Sequence, residues 1–434
     1  MTRSSVWRKV GGVATALGIT AVTLILVDVV LILTNLFPPR YEYGDPDVGW
    51  LATKPAPGVH EDRCLDPSGK WVRYYRNEDG VRTRLSLPMV QASHGTFKVA
   101  ITGDSQTDLC AENALVHSGV LERALASHGV RAIALPYGVG RYSPLQDYLV
   151  YRKILKKYQP EALVINLYTG NDFYDMLRVD DRPHFVMSNG HYEIADPEWY
   201  RYVDPHTHPR SRILFLLHSV SEATGIRNGF VHLQFLYQMA VEQKAGIGAV
   251  VGYFRDLRHS VEPSLGYPEG FTAQFLNQQI FFYRFPGARE ESLRRVRALL
   301  DVVRRENPGV VLVLSALPSY ELIQERPVDA ALVRTLGRLP ITYEGGVAEE
   351  RTLYDNLRQL AGQAGWLFVD NLSALRGYHG SERLYNDVDY HLLPPASAII
   401  GANQAAVLLQ YLHSHPAIPE SPTRITARSS RQAR

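Results

Sequence analysis

The chain has 434 residues, 45% of them hydrophobic and 21% charged, which is long enough and apolar enough for one large folded domain or two ordinary ones. Its formal charge of +2 gives no basic face of the kind that binds nucleic acid, so nucleic acid is not an expected partner. Two cysteines, Cys64 and Cys110, exclude a disulfide-dense scaffold and a four-cysteine zinc site, and leave open one disulfide or two separate thiols.

From Val10 to Phe37 the chain runs for 28 residues with Asp28 as its only charge. That is enough to cross a bilayer and longer than the apolar region of a cleavable signal. Arg3, Arg8 and Lys9 precede the run, so residues 1–9 are expected in the cytoplasm, 10–37 as a transmembrane anchor, and the rest outside, in a periplasmic or extracellular space. Residues 38–95 are rich in Pro, Gly and charge and read as a lead-in packed on the main domain.

A strand and helix alternation begins at Phe97. Strands are expected at Phe97–Thr102, Arg131–Leu135, Ala162–Tyr168, Val310–Leu314 and Trp366–Val369. Helices are expected at Asn113–His128, from Ser143 with Pro144 to about Tyr158, at Glu290–Glu306, Glu349–Ala364 and Pro395–His413. Such alternation predicts a parallel sheet covered on both faces, with the site at the carboxyl ends of its strands. Residues 178–289 interrupt the pattern as an insertion rich in aromatics, with a helix expected near Phe230–Gln243. Residues 415–434 are expected to be a disordered tail.

Three strand ends carry candidate chemistry. The first runs into Gly103-Asp104-Ser105, which places a serine at a turn, with the backbone N–H groups of a following helix expected to face it. The second runs into Tyr137-Gly138-Val139-Gly140-Arg141-Tyr142-Ser143, where glycines allow close backbone approach. The third runs into Gly170-Asn171-Asp172, whose Asn171 amide can donate to an oxyanion. A serine needs a positioned imidazole to take its proton. His391, in Asn386-Asp387-Val388-Asp389-Tyr390-His391 before the last helix, has two acids near it in sequence. His206 and His208 form an HxH pair with no third ligand nearby, so no metal is expected. No cofactor fingerprint and no G-x-S-x-G elbow are present.

The four blocks in this chain order resemble the SGNH/GDSL hydrolase superfamily over roughly Phe97 to Leu412, and Arg76 to Arg82 resembles the N-x-x-G-x-R approach of anchored members. The resemblance implies a flavodoxin-like three-layer α/β/α sandwich, spanning 96–414 here, and ester hydrolysis through an acyl-serine without a cofactor. It implies Ser105 as nucleophile, His391 as base, and Asn171 with backbone N–H groups of Ser105 and of Gly140 or Arg141 as the oxyanion hole. Two departures stand out. The family's acid lies three residues before the histidine, where this chain has Val388, so the acid is Asp389 or, as the alternative, Asp387. The glycine block lacks its opening Asn and has Arg141 where glycine usually precedes the tyrosine.

An outward-facing anchored esterase would act on acyl esters of an envelope glycan or lipid. Insertion aromatics such as Trp199, Tyr200, Tyr202, Tyr253, Phe254 and Phe281 to Tyr283 offer either a sugar platform or a core. Two other functions fit the same residues: an O-acyltransferase of a cell-surface polysaccharide, served by a membrane acyl-transfer partner, and a catalytically inactive envelope binding or assembly protein.

Overall fold

The computed structural model describes Thr23 and residues 43–45, 47–51, 56–66, 69–179, 182–195, 239–241, 244, 246–260, 271–323, 342–386 and 391–415. The expected anchor and tail, the pair His206 and His208, most of the helix expected at Phe230–Gln243, and the acids Asp387 and Asp389 lie outside the described residues. Among the described residues no helix is long and apolar enough to cross a membrane, and no group of three or more His, Cys, Asp or Glu side chains is placed to hold a metal ion.

In chain order the strands are β1 (Tyr43–Asp45), β2 (Gly49–Leu51), β3 (His60–Leu65), β4 (Trp71–Arg76), β5 (Phe97–Gly103), β6 (Ala132–Gly138), β7 (Ala162–Tyr168), β8 (His184–Ser188), β9 (His191–Ala195), β10 (Val311–Leu317) and β11 (Leu367–Asp370). Strands β5, β6, β7, β10 and β11 form one parallel sheet in the order β11-β10-β7-β5-β6. Counted among themselves these five are ordered 2-1-3-4-5, the flavodoxin-like arrangement that the sequence leads one to expect. The order reverses between β5 and β7, the switch point at whose carboxyl ends open α/β sheets place their ligand crevice.

Alternation along the strands splits the core into two layers. Ala100, Leu163 and Leu312 face the helices Pro144–Lys153, Pro286–Glu306 and Tyr343–Ala364. Val99, Ile101, Val164 and Val313 face Leu121, Leu125, Ala405 and Leu408 on the helices His117–Ser127 and Pro394–Ser414. The start at Ser143 and Pro144 is as read: the Ser143 hydroxyl accepts the Gln146 N–H and the Gln146 side chain accepts the Ser143 N–H, a reciprocal cap.

One expectation fails beside the serine. Residues 104–108 form turns and bends, and the next helix starts only at His117, so no helix N-terminus faces Ser105. The segment Asn113 to Val116, expected as the first turn of a helix, is instead a loop that the lead-in holds. Within the insertion, β8 and β9 form a hairpin not expected above, turning at Asn189-Gly190 with φ +50° and +82°, and two helices follow, Gly246–Ser260 and Phe271–Arg284. Tyr253, Phe281 and Phe282 are buried in the core, with Phe281 edge-on to Tyr174 at 5.0 Å, so these three do not form a sugar platform. Trp199, Tyr200 and Tyr202 lie outside the described residues.

Candidate active site

The crevice is built from the ends of β5, β6 and β7. Gly103 closes β5 because a Cβ there would overlap the Thr107 hydroxyl as the turn folds back. That turn is fixed by N–H bonds from Thr107 and Asp108 to the Asp104 carbonyl, 3.0 and 3.3 Å, and from Gln106 to Asp104 Oδ1, 2.9 Å. Ser105 sits on its outer side, half-buried. Gly138, at the end of β6, packs on the Thr107–Asp108 backbone, where a Cβ would come within 2.5 Å of Asp108 N, so its close approach serves the protein rather than a ligand. Gly140 faces the serine instead: a Cβ there would lie 3.9 Å from Ser105 Cβ. Neither the Ser105 nor the Gly140 N–H bonds to any described residue, so two unused donors flank the serine.

Arg141 has φ +65°, the left-handed region that glycine enters without cost, which is the physical meaning of the usual glycine there. The carbonyl of Arg141 accepts a bond from Arg182 at 3.0 Å. At the end of β7, the Asn171 amide donates to Asp175 Oδ2 at 2.6 Å and keeps a second N–H, while Asp175 is paired with Arg182 at 3.1 Å. The turn is closed by the Tyr168 N–H bonding to Asp172 Oδ2 at 2.7 Å, and the insertion reaches it through Gln278, whose Nε2 donates to the Thr169 carbonyl at 2.9 Å.

His391 comes from the opposite end of the chain. Tyr385 and Leu392 pair as an isolated bridge, and the Asn386 N–H bonds to the His391 carbonyl at 2.9 Å, which pinches the 386–391 loop at its base. The Leu392 N–H then bonds to the buried Gln106 Oε1 at 2.9 Å. Since Gln106 follows Ser105 and Leu392 follows His391, one side chain locks the serine turn to the histidine loop. Burial raises the Asp104 carboxyl to about 7 against the opposing pull of the Gln106 N–H and of the nearby His391 imidazole.

Beneath the crevice lie two further acids, Asp172 from the third block and Asp147 from outside the four blocks. Asp147 and Asp172 are fully buried and held well above the usual carboxylate range, Asp147 by burial and then by the charge of Asp104, Asp172 by burial and then by Asp104, Asp147 and Asp175. No described group bonds to either Asp147 oxygen. Glu122, Asp147 and Asp172 look alike in sequence as helix acids, and only the sheet order reveals which of them converge.

The lead-in braces this assembly. Asn77 Oδ1 accepts the Asp79 and Val81 N–H groups in a turn ending at Gly80, φ +81°, and the turn aims Arg82 inward. Buried Arg82 donates to the carbonyls of Leu109, at 2.6 Å, and Ala111, while buried Arg76 grips Asp108 at 2.6 Å. Cys110, between those carbonyls, is disulfide-bonded to Cys64 of β3, which resolves the choice that spacing left open. On the other flank, the Tyr142 hydroxyl donates to the Trp50 carbonyl and Gln146 Nε2 to the Val48 carbonyl at 2.8 Å, so the β1–β2 hairpin holds the glycine block.

The site thus gathers Ser105, His391, Asn171, Gly140 and Arg141 at the crevice. No family model and no curated protein matches the chain. Among solved structures it is similar to a lipase/acylhydrolase from Enterococcus faecalis, with 12% identity over 74% of this chain and 96% of that one and a TM-score of 0.34. It is also similar to a catalytic mutant of an acetylxylan esterase from Geobacillus stearothermophilus, with 10% identity, coverages of 72% and 95% and a TM-score of 0.32. A third is a putative lipolytic protein of the G-D-S-L family from Desulfitobacterium hafniense, with 10% identity, coverages of 72% and 99% and a TM-score of 0.30. Three of the blocks thus end the neighbouring strands β5, β6 and β7 at the switch point of a 2-1-3-4-5 parallel sheet, and His391 of the fourth is tied to the first through Gln106 and Leu392.

Proposed function

We propose that the protein is a serine esterase that cleaves acyl esters through an acyl-serine. The observation that carries this reading is the 2.9 Å bond between Gln106 Oε1 and the Leu392 N–H, which joins the Ser105 turn to the His391 loop across 286 residues. In this mechanism Ser105 Oγ attacks the ester carbonyl while His391 takes its proton, then returns it to the departing alcohol. A water activated by the same imidazole cleaves the acyl-serine. The negative oxygen of each tetrahedral intermediate is met by the unused N–H groups of Ser105 and Gly140 and by the remaining Asn171 N–H. Asp389, with Asp387 as the alternative, orients the imidazole.

The apolar run Val10–Phe37 behind Arg3, Arg8 and Lys9, together with the Cys64–Cys110 disulfide, supports an anchored domain in an oxidising space outside the cytoplasm. An acylated envelope glycan or lipid is the substrate class that fits this placement. The test uses the full-length chain in detergent with p-nitrophenyl acetate. Turnover is expected, falling at least ~1,000-fold in both Ser105→Ala and His391→Ala, with Ser105 labelled by a fluorophosphonate. Absence of both turnover and labelling in the native chain would sink the esterase reading in favour of an inactive envelope scaffold.

A further inference from the structure

The β3–β4 hairpin has two faces with different work. Asp62, Cys64 and Arg76 point toward the loop after Ser105, as the disulfide and the 3.2 Å Arg76–Asp62 pair show. Alternation puts Trp71, Arg73 and Tyr75 on the other face, where Trp71 is 65% exposed. That face continues into a cavity of about 560 Å³ lined by Arg73, Tyr75, Arg84, Asn113, Glu122 and Arg123. The volume lies in the range of binding sites, and the lining mixes charged and amide groups with apolar surface.

The cations there are only partly neutralised by their neighbours. The Arg84 guanidinium lies over the Tyr75 ring at 3.8 Å and has no carboxylate partner among the described residues. Arg123 donates to the Ala114 carbonyl at 2.6 Å, which orients its guanidinium without cancelling its charge. Glu61 is taken up by Arg63 at 3.1 Å and by the Tyr75 hydroxyl at 3.2 Å, and comes only within 3.9 Å of Arg73. Glu122 accepts the Ala134 N–H at 2.6 Å; burial raises its pKa, while that bond and the nearby Arg123 charge pull it down, so Arg123 is partly offset and Arg84 is the cation with no acid beside it among the described residues. Exposed Glu112 is the one acid left at the rim.

Guanidinium groups bind carboxylates in a flat fork, and exposed aromatic rings stack on the apolar faces of sugars. We propose that this face and cavity form a binding groove for a carboxylate-bearing polysaccharide, with Arg84 and Arg123 pairing to its acid groups and Trp71 and Tyr75 lying against its rings. The groove flanks the loop that carries Ser105, so, on the esterase reading above, it holds the acylated polymer while one ester enters the crevice. The concave cavity, lined by arginines as well as apolar surface, favours a chain of sugars over a membrane surface, which would meet a flat or convex apolar face.

The test measures binding of polygalacturonate oligomers to the full-length chain in detergent, with neutral dextran oligomers and phosphatidylglycerol vesicles as the comparison arms. Polygalacturonate is expected to bind, more weakly as salt rises, and dextran at least ~10-fold less well. The double variant R84A/R123A is expected to lose at least ~10-fold in polygalacturonate affinity, and R84K/R123K to recover part of it. Hydrolysis of neutral p-nitrophenyl acetate should stay unchanged in both variants. Equal binding of dextran, binding of the vesicles alone, no binding by the native chain, or native affinity in the alanine double variant overturns the groove. Polygalacturonate binding that depends on these arginines in a chain with no esterase activity leaves the groove standing and removes the catalytic reading.

Discussion

Past the end of β10, Glu350 receives hydrogen bonds from the hydroxyls of Thr169 and Ser319, the second at 2.8 Å, so both of its oxygens are met. Beneath Ser105, Asp147 is as deeply buried and no described group bonds to it. Both regions hold acids lifted by burial: Glu350 to about 7 and its neighbour Glu321 to about 8 on one side, Asp104 to about 7 on the other. The difference is in what surrounds them. Both Glu350 oxygens are met by scaffold hydroxyls, whereas Asp104 and Asp172 each accept one backbone N–H, Asp147 accepts none, and the three repel one another at the switch point, with Asp104 also facing His391. Carboxyl burial alone therefore does not mark a reactive site, and the surrounding hydrogen bonds decide which cluster is structural.

The comparison breaks most visibly in catalysis. Asp104→Asn is expected to lower kcat/KM for p-nitrophenyl acetate about 100-fold, since the charge next to the imidazole is removed, while Glu350→Gln stays within about threefold. Equal losses would show that both clusters are only scaffolding. Stability separates them next. Glu350→Leu leaves two buried hydroxyls without an acceptor and should cost roughly 2 kcal/mol in a denaturant titration. Asp147→Leu takes away a buried carboxyl without a partner and should gain about 1 kcal/mol, so a loss there would reveal a bonded role.

The smallest effect is in pH dependence. Asp104, Glu321 and Glu350 hold their protons in the native state at pH values where the unfolded chain has released them. The stability they contribute is therefore complete below about pH 4 and lost as pH rises through about 7 to 8. Buried His117, which burial lowers to about 4, acts oppositely, and its contribution is lost as pH falls from about 6.5 to 4. The melting temperature should decline between pH 6.5 and 8.5, and Glu350→Gln should flatten that decline by about 2 °C. An unchanged slope would mean that the Glu350 proton is not linked to folding.

The sheet was legible because β5, β7 and β10 are buried on both faces and so appear as unbroken apolar runs between turns. The cap at Ser143 was legible because it is local. The helix expected from Asn113 failed at its first turns because Arg82, Arg76 and Cys64, all distant in sequence, claim the carbonyls, the acid and the thiol of that segment. Ser105, Asn171 and His391 stand in short blocks and could be read. Gln106 stood in plain view next to the serine, but its role depends on Leu392, and no local spacing links the two. Asp147 was hidden for the opposite reason, since a helix acid in the first turn looks like ordinary dipole chemistry until the sheet buries it.

That Gln106–Leu392 bond has a bearing on how the chain is made. Ser105 leaves the ribosome almost three hundred residues before its base. A nascent or truncated chain that lacks the segment from Tyr385 onward carries the serine without the imidazole, however well β5 and β7 have paired. On the esterase reading, activity would begin only when the helix Pro394–Ser414 docks beside His117–Ser127 and brings His391 to the serine turn.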